Sequence, residues 1–210
     1  MPDTNPMGFI LLHKLFPRLW VRPAVAILFL ICMTAAFPTP VLARDFALTL
    51  YGGVVTDGDF EDAFSPNVKF RNGYLVDAAL AWTASRFWEG AFSLELEGQV
   101  AKYFGDQDNW EFNAPIVVGR WSKFPWNRRV DTSIAWGIGP SYSTQESPIE
   151  KDTHSSTDRL LVYWFAEVAL GPPESKWAFV VRLHHRSTGF GTVAENGGSN
   201  TWAAGVKFRF

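Results

Sequence analysis

The sequence predicts an all-β protein, an eight-stranded antiparallel transmembrane β-barrel of the outer-membrane type, preceded by a cleaved signal peptide. Three observations carry that expectation. Apolar and polar residues alternate with period two in segment after segment, as in strands that present one apolar and one polar face. Aromatic residues make up 16% of the chain, and tryptophans gather near segment ends, where a membrane interface favours an apolar ring with an N–H that seeks water. Eight strand candidates can be counted, an even number, and the connections between them alternate in length.

The first element is the leader. Residues 1–22 carry Lys14, Arg18 and Arg22 against one acid, Asp3, and an apolar run follows from Ala24 to Phe37. That run is shorter than the roughly 20 apolar residues a spanning helix needs. Pro38 and Pro40 then lead into Val41-Leu42-Ala43, small or apolar at the positions a signal peptidase reads, so residues 1–43 are expected to be a signal peptide cut after Ala43. An uncleaved anchor and a lipoprotein processed at Cys32 are the alternatives; Leu30 and Ile31 lack the small residue that lipoprotein processing favours.

Cleavage leaves a barrel domain of residues 44–210 and removes Cys32, the only cysteine. The remaining chain has no disulfide, thiol nucleophile or thiolate ligand. Subtracting the leader's three basic residues and one acid from 19 and 21 leaves 16 against 20, a net of −4. This is not the basic footprint of a nucleic-acid binder.

The strands are expected at 46–56, 74–84, 91–104, 109–122, 129–144, 159–171, 175–187 and 200–210, each long enough for a tilted span of about 9–11 residues. The third shows the pattern plainly: Phe92, Leu94, Leu96 and Val100 alternate with Ser93, Glu95, Glu97 and Gln99. In the last, Trp202, Ala204, Val206, Phe208 and Phe210 hold the even positions, while Lys207 and Arg209 are odd. Trp82, Trp88, Trp110, Trp121, Trp126 and Trp177 lie near strand ends.

Long polar connections at Thr56–Gly73, Gln145–Asp158 and Thr188–Ser199, with a shorter one at Gly105–Asp108, would form the outer loops. Ser85–Gly90, Phe124–Arg128 and Gly171-Pro172-Pro173-Glu174 would form periplasmic turns. A barrel of eight strands is narrow enough for side chains to fill. Glu95, Glu97, Arg182, His184, Lys207 and Arg209 are therefore expected to pair in the lumen rather than line a pore. Arg128 and Arg129 suit an interfacial anchor, and His154 a solvated loop. No repeat, Gly-rich phosphate loop or His/Cys cluster at metal-ligand spacing is present, so neither metal nor organic cofactor is implied.

In the seventh strand Phe179, Val181 and Leu183 take the outward parity. The same parity sends His185 and Ser187 outward and leaves Arg182, His184 and Arg186 inside, the last two for lumen hydrogen bonds or for fixing the wall behind the outward pair. On the eighth strand Asn200 also faces out, and a hairpin centred on residues 188–199 brings it beside His185 and Ser187. A serine hydroxyl becomes a nucleophile when an imidazole takes its proton, and the imidazole's tautomer must be held by a third group. His185, Ser187 and Asn200 are thus the candidate base, nucleophile and orienting amide, with backbone N–H groups near Thr188 and Gly189 as candidate oxyanion donors. A nucleophile and base on the lipid face suit an enzyme that cuts lipids.

His185-Arg-Ser187, the Gly-rich loop after it and the final amphipathic strand ending in Phe resemble the outer-membrane lipid A 3-O-deacylases of the PagL type. The resemblance covers the barrel in architecture, but its motif occupies only residues 184–200. In that family a His-x-Ser-Asn motif on the barrel exterior supplies base and nucleophile, and a downstream glutamate completes the triad. His185 and Ser187 match, Thr188 stands in place of the asparagine, and the glutamate position falls near Ser199 or Asn200, with Glu195 able to substitute if its loop folds back. The resemblance implies hydrolysis of an acyl ester of lipopolysaccharide's lipid A in the outer leaflet, with homodimerisation left open. The competing expectation is a non-catalytic structural or adhesive barrel; a small channel is a third, disfavoured by a lumen full of charged side chains.

Overall fold

A computed structural model describes residues 45–56 and 60–210; the expected signal peptide and its cleavage site lie outside the described residues. Among the described residues nine strands run in chain order: β1 (Phe46–Thr56), β2 (Phe70–Phe87), β3 (Phe92–Gly105), β4 (Trp110–Asn113), β5 (Val117–Trp121), β6 (Asp131–Ser143), β7 (Leu160–Gly171), β8 (Trp177–Ser187) and β9 (Gly198–Arg209). Each wall strand pairs antiparallel with its neighbours, and β4 and β5 together take the fourth place between β3 and β6. The first and last strands pair from Ala47↔Arg209 to Thr56↔Asn200. Among the described residues the sheet therefore closes on itself, first strand to last, as a lipid-embedded sheet requires.

The expected single strand at 109–122 is interrupted at 114–116. Pro115 has no N–H to give the ladder, and the wall slips there: Asn113 pairs with Ser141 but Val117 with Ile138. One extra residue on the β4–β5 side makes a bulge, and a one-residue slip exchanges the faces. Glu111 and Asn113 face the lumen before it, Val118 and Arg120 after it. The bulge needs Gly139 opposite, where a Cβ would lie 2.0 Å from the Ala114 carbonyl oxygen.

Period two sorts the rest of the wall. Leu50, Val76, Leu80, Val100, Phe112, Trp136, Phe179 and Val206 stand exposed on the outside, an apolar surface that water would not tolerate but acyl chains do. Trp88, Trp110, Trp126 and Trp177 are exposed near strand ends, as expected of an interfacial girdle. No described helix is long and apolar enough to cross a membrane.

Inside, charges meet. Arg182 grips Glu97 at 2.7 and 3.0 Å and Glu167 at 2.5 Å, and Arg120 joins Glu95 at 2.8 Å to Glu167 at 2.9 Å. Lys207 and Tyr51 also donate to Glu167. His184 contacts Glu111 at 2.8 Å, and Arg209 pairs with Asp131 at 3.0 Å. The expected lumen set is present, joined by Glu167, Glu111 and Arg120.

The outer end is closed by chain from the long connections. Part of the 144–159 connection folds as α1 (Pro148–His154), capped by Ser147 with proline in its first turn. Its buried Ile149 packs with Val55, Leu75, Ala101 and Tyr103. A 3-10 turn at Phe60–Phe64 lies instead against the outside of the wall.

Candidate active site

β7, β8 and β9 set the site by register. On the outer face His185 lies between Trp164 of β7 and Asn200 of β9, and Ser187 between Val162 and Gly198. Leu183 and Trp202 form the next outward pair toward the membrane centre. His185, Ser187 and Asn200, more than a dozen residues apart at the extremes, thus share one patch.

His185 Nδ1 lies 2.6 Å from Asn200 Oδ1. An amide oxygen can only accept, so in this contact the proton sits on Nδ1, and Nε2 is the ring nitrogen that would serve as a base. The Asn200 backbone carbonyl accepts from Thr56 Oγ1 at 3.4 Å, tying β9 to β1 at the same level.

Ser187 lies two residues along the same face, half-buried. Its Oγ accepts from the Gly189 N–H at 3.4 Å. Among the described residues no hydrogen bond joins Ser187 Oγ to the imidazole. Side chains two apart on a strand start roughly 7 Å from each other, so the contact needs rotation of the serine and the ring toward one another, a closure that catalytic pairs often make only with substrate bound. After Ser187 the chain turns through Gly189, Phe190 and Gly191, all at positive φ (62°, 58° and 73°). Thr188 braces this turn, its Oγ1 accepting from the Gly191 N–H at 3.1 Å.

Outward parity alone would expose His185 and Leu183, yet they are only 7% and 1% accessible. The cause is the 3-10 turn. Phe60 sets its ring edge-on to both Trp164 (4.8 Å) and His185 (5.5 Å), Phe64 does the same to Trp202 (5.7 Å), and Trp202 Nε1 donates to the Ala63 carbonyl at 3.0 Å. This cover, from a segment more than 120 residues upstream, was not foreseen from the sequence; Phe60 and Phe64 sit in a connection with no period to betray them. From Phe64, Leu183 and Trp202 an apolar groove of about 470 Å³ runs along the outer wall past Ala166, Val181 and Ile134.

The three candidates for the third position lie in different surroundings. Ser199 faces the lumen side, where its Oγ donates to Glu150 at 2.8 Å, so it cannot also serve His185. Glu195 stays exposed on the loop and, among the described residues, makes no hydrogen bond to His185. Of these three, Asn200 is the one in contact with His185. His154, expected to be solvated, is half-buried with Nε2 3.1 Å from the Gly198 carbonyl oxygen. Among the described residues no cluster of three or more His, Cys, Asp or Glu side chains is arranged to hold a metal ion.

Closed pairing, an apolar exterior and a charge-filled lumen define an eight-stranded β-barrel of the outer-membrane type. No family model and no curated protein matches the sequence. Among solved structures the chain is similar to the outer membrane enzyme PagL, with a TM-score of 0.55 at 13% identity, covering 78% of this chain and 99% of that one. Neisserial surface protein A (NspA) aligns with a TM-score of 0.49 at 8% identity over 81% and 100% of the two chains. LpxR from Salmonella typhimurium aligns with a TM-score of 0.33 at 11% identity over 68% and 53%. The likeness to PagL is one of fold.

Proposed function

We propose that the protein is a serine-type esterase that removes an acyl chain from the lipid A of lipopolysaccharide in the outer leaflet. The observation that carries this reading is the His185–Asn200 contact on the membrane-facing side of the wall, with Ser187 on the same face. An imidazole held in its base-competent tautomer beside a serine needs an ester within reach, and lipid supplies one there.

In this reading His185 Nε2 takes the proton of Ser187 Oγ as the oxygen attacks the ester carbonyl. The Gly189 N–H, already directed at Ser187 Oγ, donates to the developing oxyanion. Collapse breaks the bond to the sugar oxygen, which receives the proton from His185, and water activated by the same imidazole then frees the fatty acid. The groove below Leu183 and Trp202 offers an apolar bed for the chain being cut. The Phe60–Phe64 turn keeps water from the imidazole and must give way, at least at Phe60, for substrate to reach it.

That cover is also the observation that favours the alternative, a non-catalytic barrel in which His185 merely fills the space under Phe60. Mass spectrometry of lipid A from cells expressing the wild type or Ser187→Ala decides between them, with insertion checked by heat-modifiable gel mobility. Loss of one acyl group with the wild type alone is the expected result. Unchanged lipid A from an inserted wild-type barrel would establish the non-catalytic reading.

A further inference from the structure

The outward site has a lumen-side counterpart. Between His185 and Ser187, on the opposite face of β8, lies Arg186; its register partner on β9 is Ser199, flanked by the pairs His185↔Asn200 and Ser187↔Gly198. Both lumen-side residues converge on one carboxylate. Glu150 Oε1 accepts from Arg186 Nη1 at 2.6 Å and from Ser199 Oγ at 2.8 Å, while Oε2 accepts from Thr157 Oγ1 at 2.5 Å. Glu150 is almost fully buried and belongs to α1, whose last residue, His154, reaches the Gly198 carbonyl oxygen. The helix therefore holds the end of the β8–β9 hairpin at two successive register pairs.

We infer that Glu150 is a positioning residue for the lipid-facing site, setting from inside the barrel the distance between Ser187 on β8 and Asn200 on β9. The inference rests on the reading of His185, Ser187 and Asn200 as that site. Strand ends next to a loop are where a sheet opens most readily, and here the strand ends carry the nucleophile. Charge-assisted bonds to a buried carboxylate are short and directional, so they suppress that opening where backbone pairing is running out. Arg186 keeps other partners, Ser141 Oγ at 2.9 Å and the Arg159 carbonyl at 3.2 Å. Losing Glu150 therefore frees the cross-strand brace without stranding the guanidinium.

The test uses the full barrel refolded into vesicles containing lipopolysaccharide, with fatty-acid release measured for wild type, Glu150→Gln, Glu150→Asp and Ser199→Ala. Asp131→Asn, which breaks the lumen pair with Arg209 away from the site, is the control for a purely structural loss. A displacement of about 1 Å in a reacting pair costs on the order of 10²-fold. Glu150→Gln is accordingly expected to lower kcat roughly 10- to 100-fold with KM within about twofold, and Ser199→Ala to lower it several-fold. Glu150→Asp should recover part of the loss, and Asp131→Asn should lower thermal stability without lowering kcat. Wild-type kcat in an inserted Glu150→Gln barrel would overturn the inference while leaving the deacylase reading intact; if that variant does not insert, unchanged kcat in Ser199→Ala does the same. A wild-type barrel that releases no fatty acid would sink the deacylase reading, and this inference with it.

Discussion

The two faces of β8 solve different problems with similar residues. On the lumen face Arg182, His184 and Arg186 each meet a carboxylate within 3 Å, Glu167, Glu111 and Glu150 respectively; Glu167 also accepts from Lys207, Arg120 and Tyr51, Glu111 from Asn113, and Glu150 from Ser199. Burying a charge without a partner costs several kcal/mol, so these lumen pairs have a structural reason to be where they are. On the outer face, a few ångströms away, His185 and Asn200 form a polar pair among Trp164, Phe60, Leu183 and Trp202. An apolar residue would serve the lipid face better than either. The contrast teaches that polarity alone singles out nothing in a barrel; polarity on the side facing lipid is what the proposed site rests on.

Substitutions on the two faces of β8 should separate by what they damage. The largest effect belongs to the outer face: Ser187→Ala is expected to cut the rate of acyl release by about 10⁴-fold or more, as loss of a serine nucleophile does, with unfolding unchanged. An inserted Ser187→Ala barrel that kept its rate would erase the distinction between the faces. Next comes Arg182→Ala, which leaves Glu97 and part of Glu167 unpaired and should destabilise the barrel by about 3–5 kcal/mol, measured by denaturant unfolding in lipid vesicles. The activity per folded molecule should stay near wild type. Asn200→Ala should reduce kcat roughly 10- to 100-fold by freeing the imidazole's tautomer, whereas Asn200→Asp, which keeps an acceptor at the same place, should stay within a few-fold. The smallest effect is expected from Phe60→Ala, which uncovers His185: a change in KM of about two- to five-fold with kcat nearly constant, since only apolar contact is removed.

Most of the wall was legible in the chain. Alternation placed Glu95, Glu97, Arg182, His184 and Lys207 inside and His185, Ser187 and Asn200 outside, because successive side chains of a strand point to opposite faces whatever surrounds them. The same rule, carried straight through 109–122, gives Glu111 and Arg120 opposite faces. In the structure both face the lumen, because the bulge at Pro115 shifts the register between them. The third site position was left open among Asn200, Ser199 and Glu195; parity already separates the first two, but it says nothing of a loop residue.

Amino-acid order by itself determined the strand class, the two faces and the outward placement of a serine and a histidine, since these follow from covalent geometry and a local period. The tertiary structure alone decided that Phe60 roofs the imidazole and that Glu150 braces the strands from within. Each of these joins segments far apart in the chain, through a folded connection or a helix in the barrel mouth. Such contacts arise from which surfaces fit together once the sheet has closed, and no local pattern encodes them.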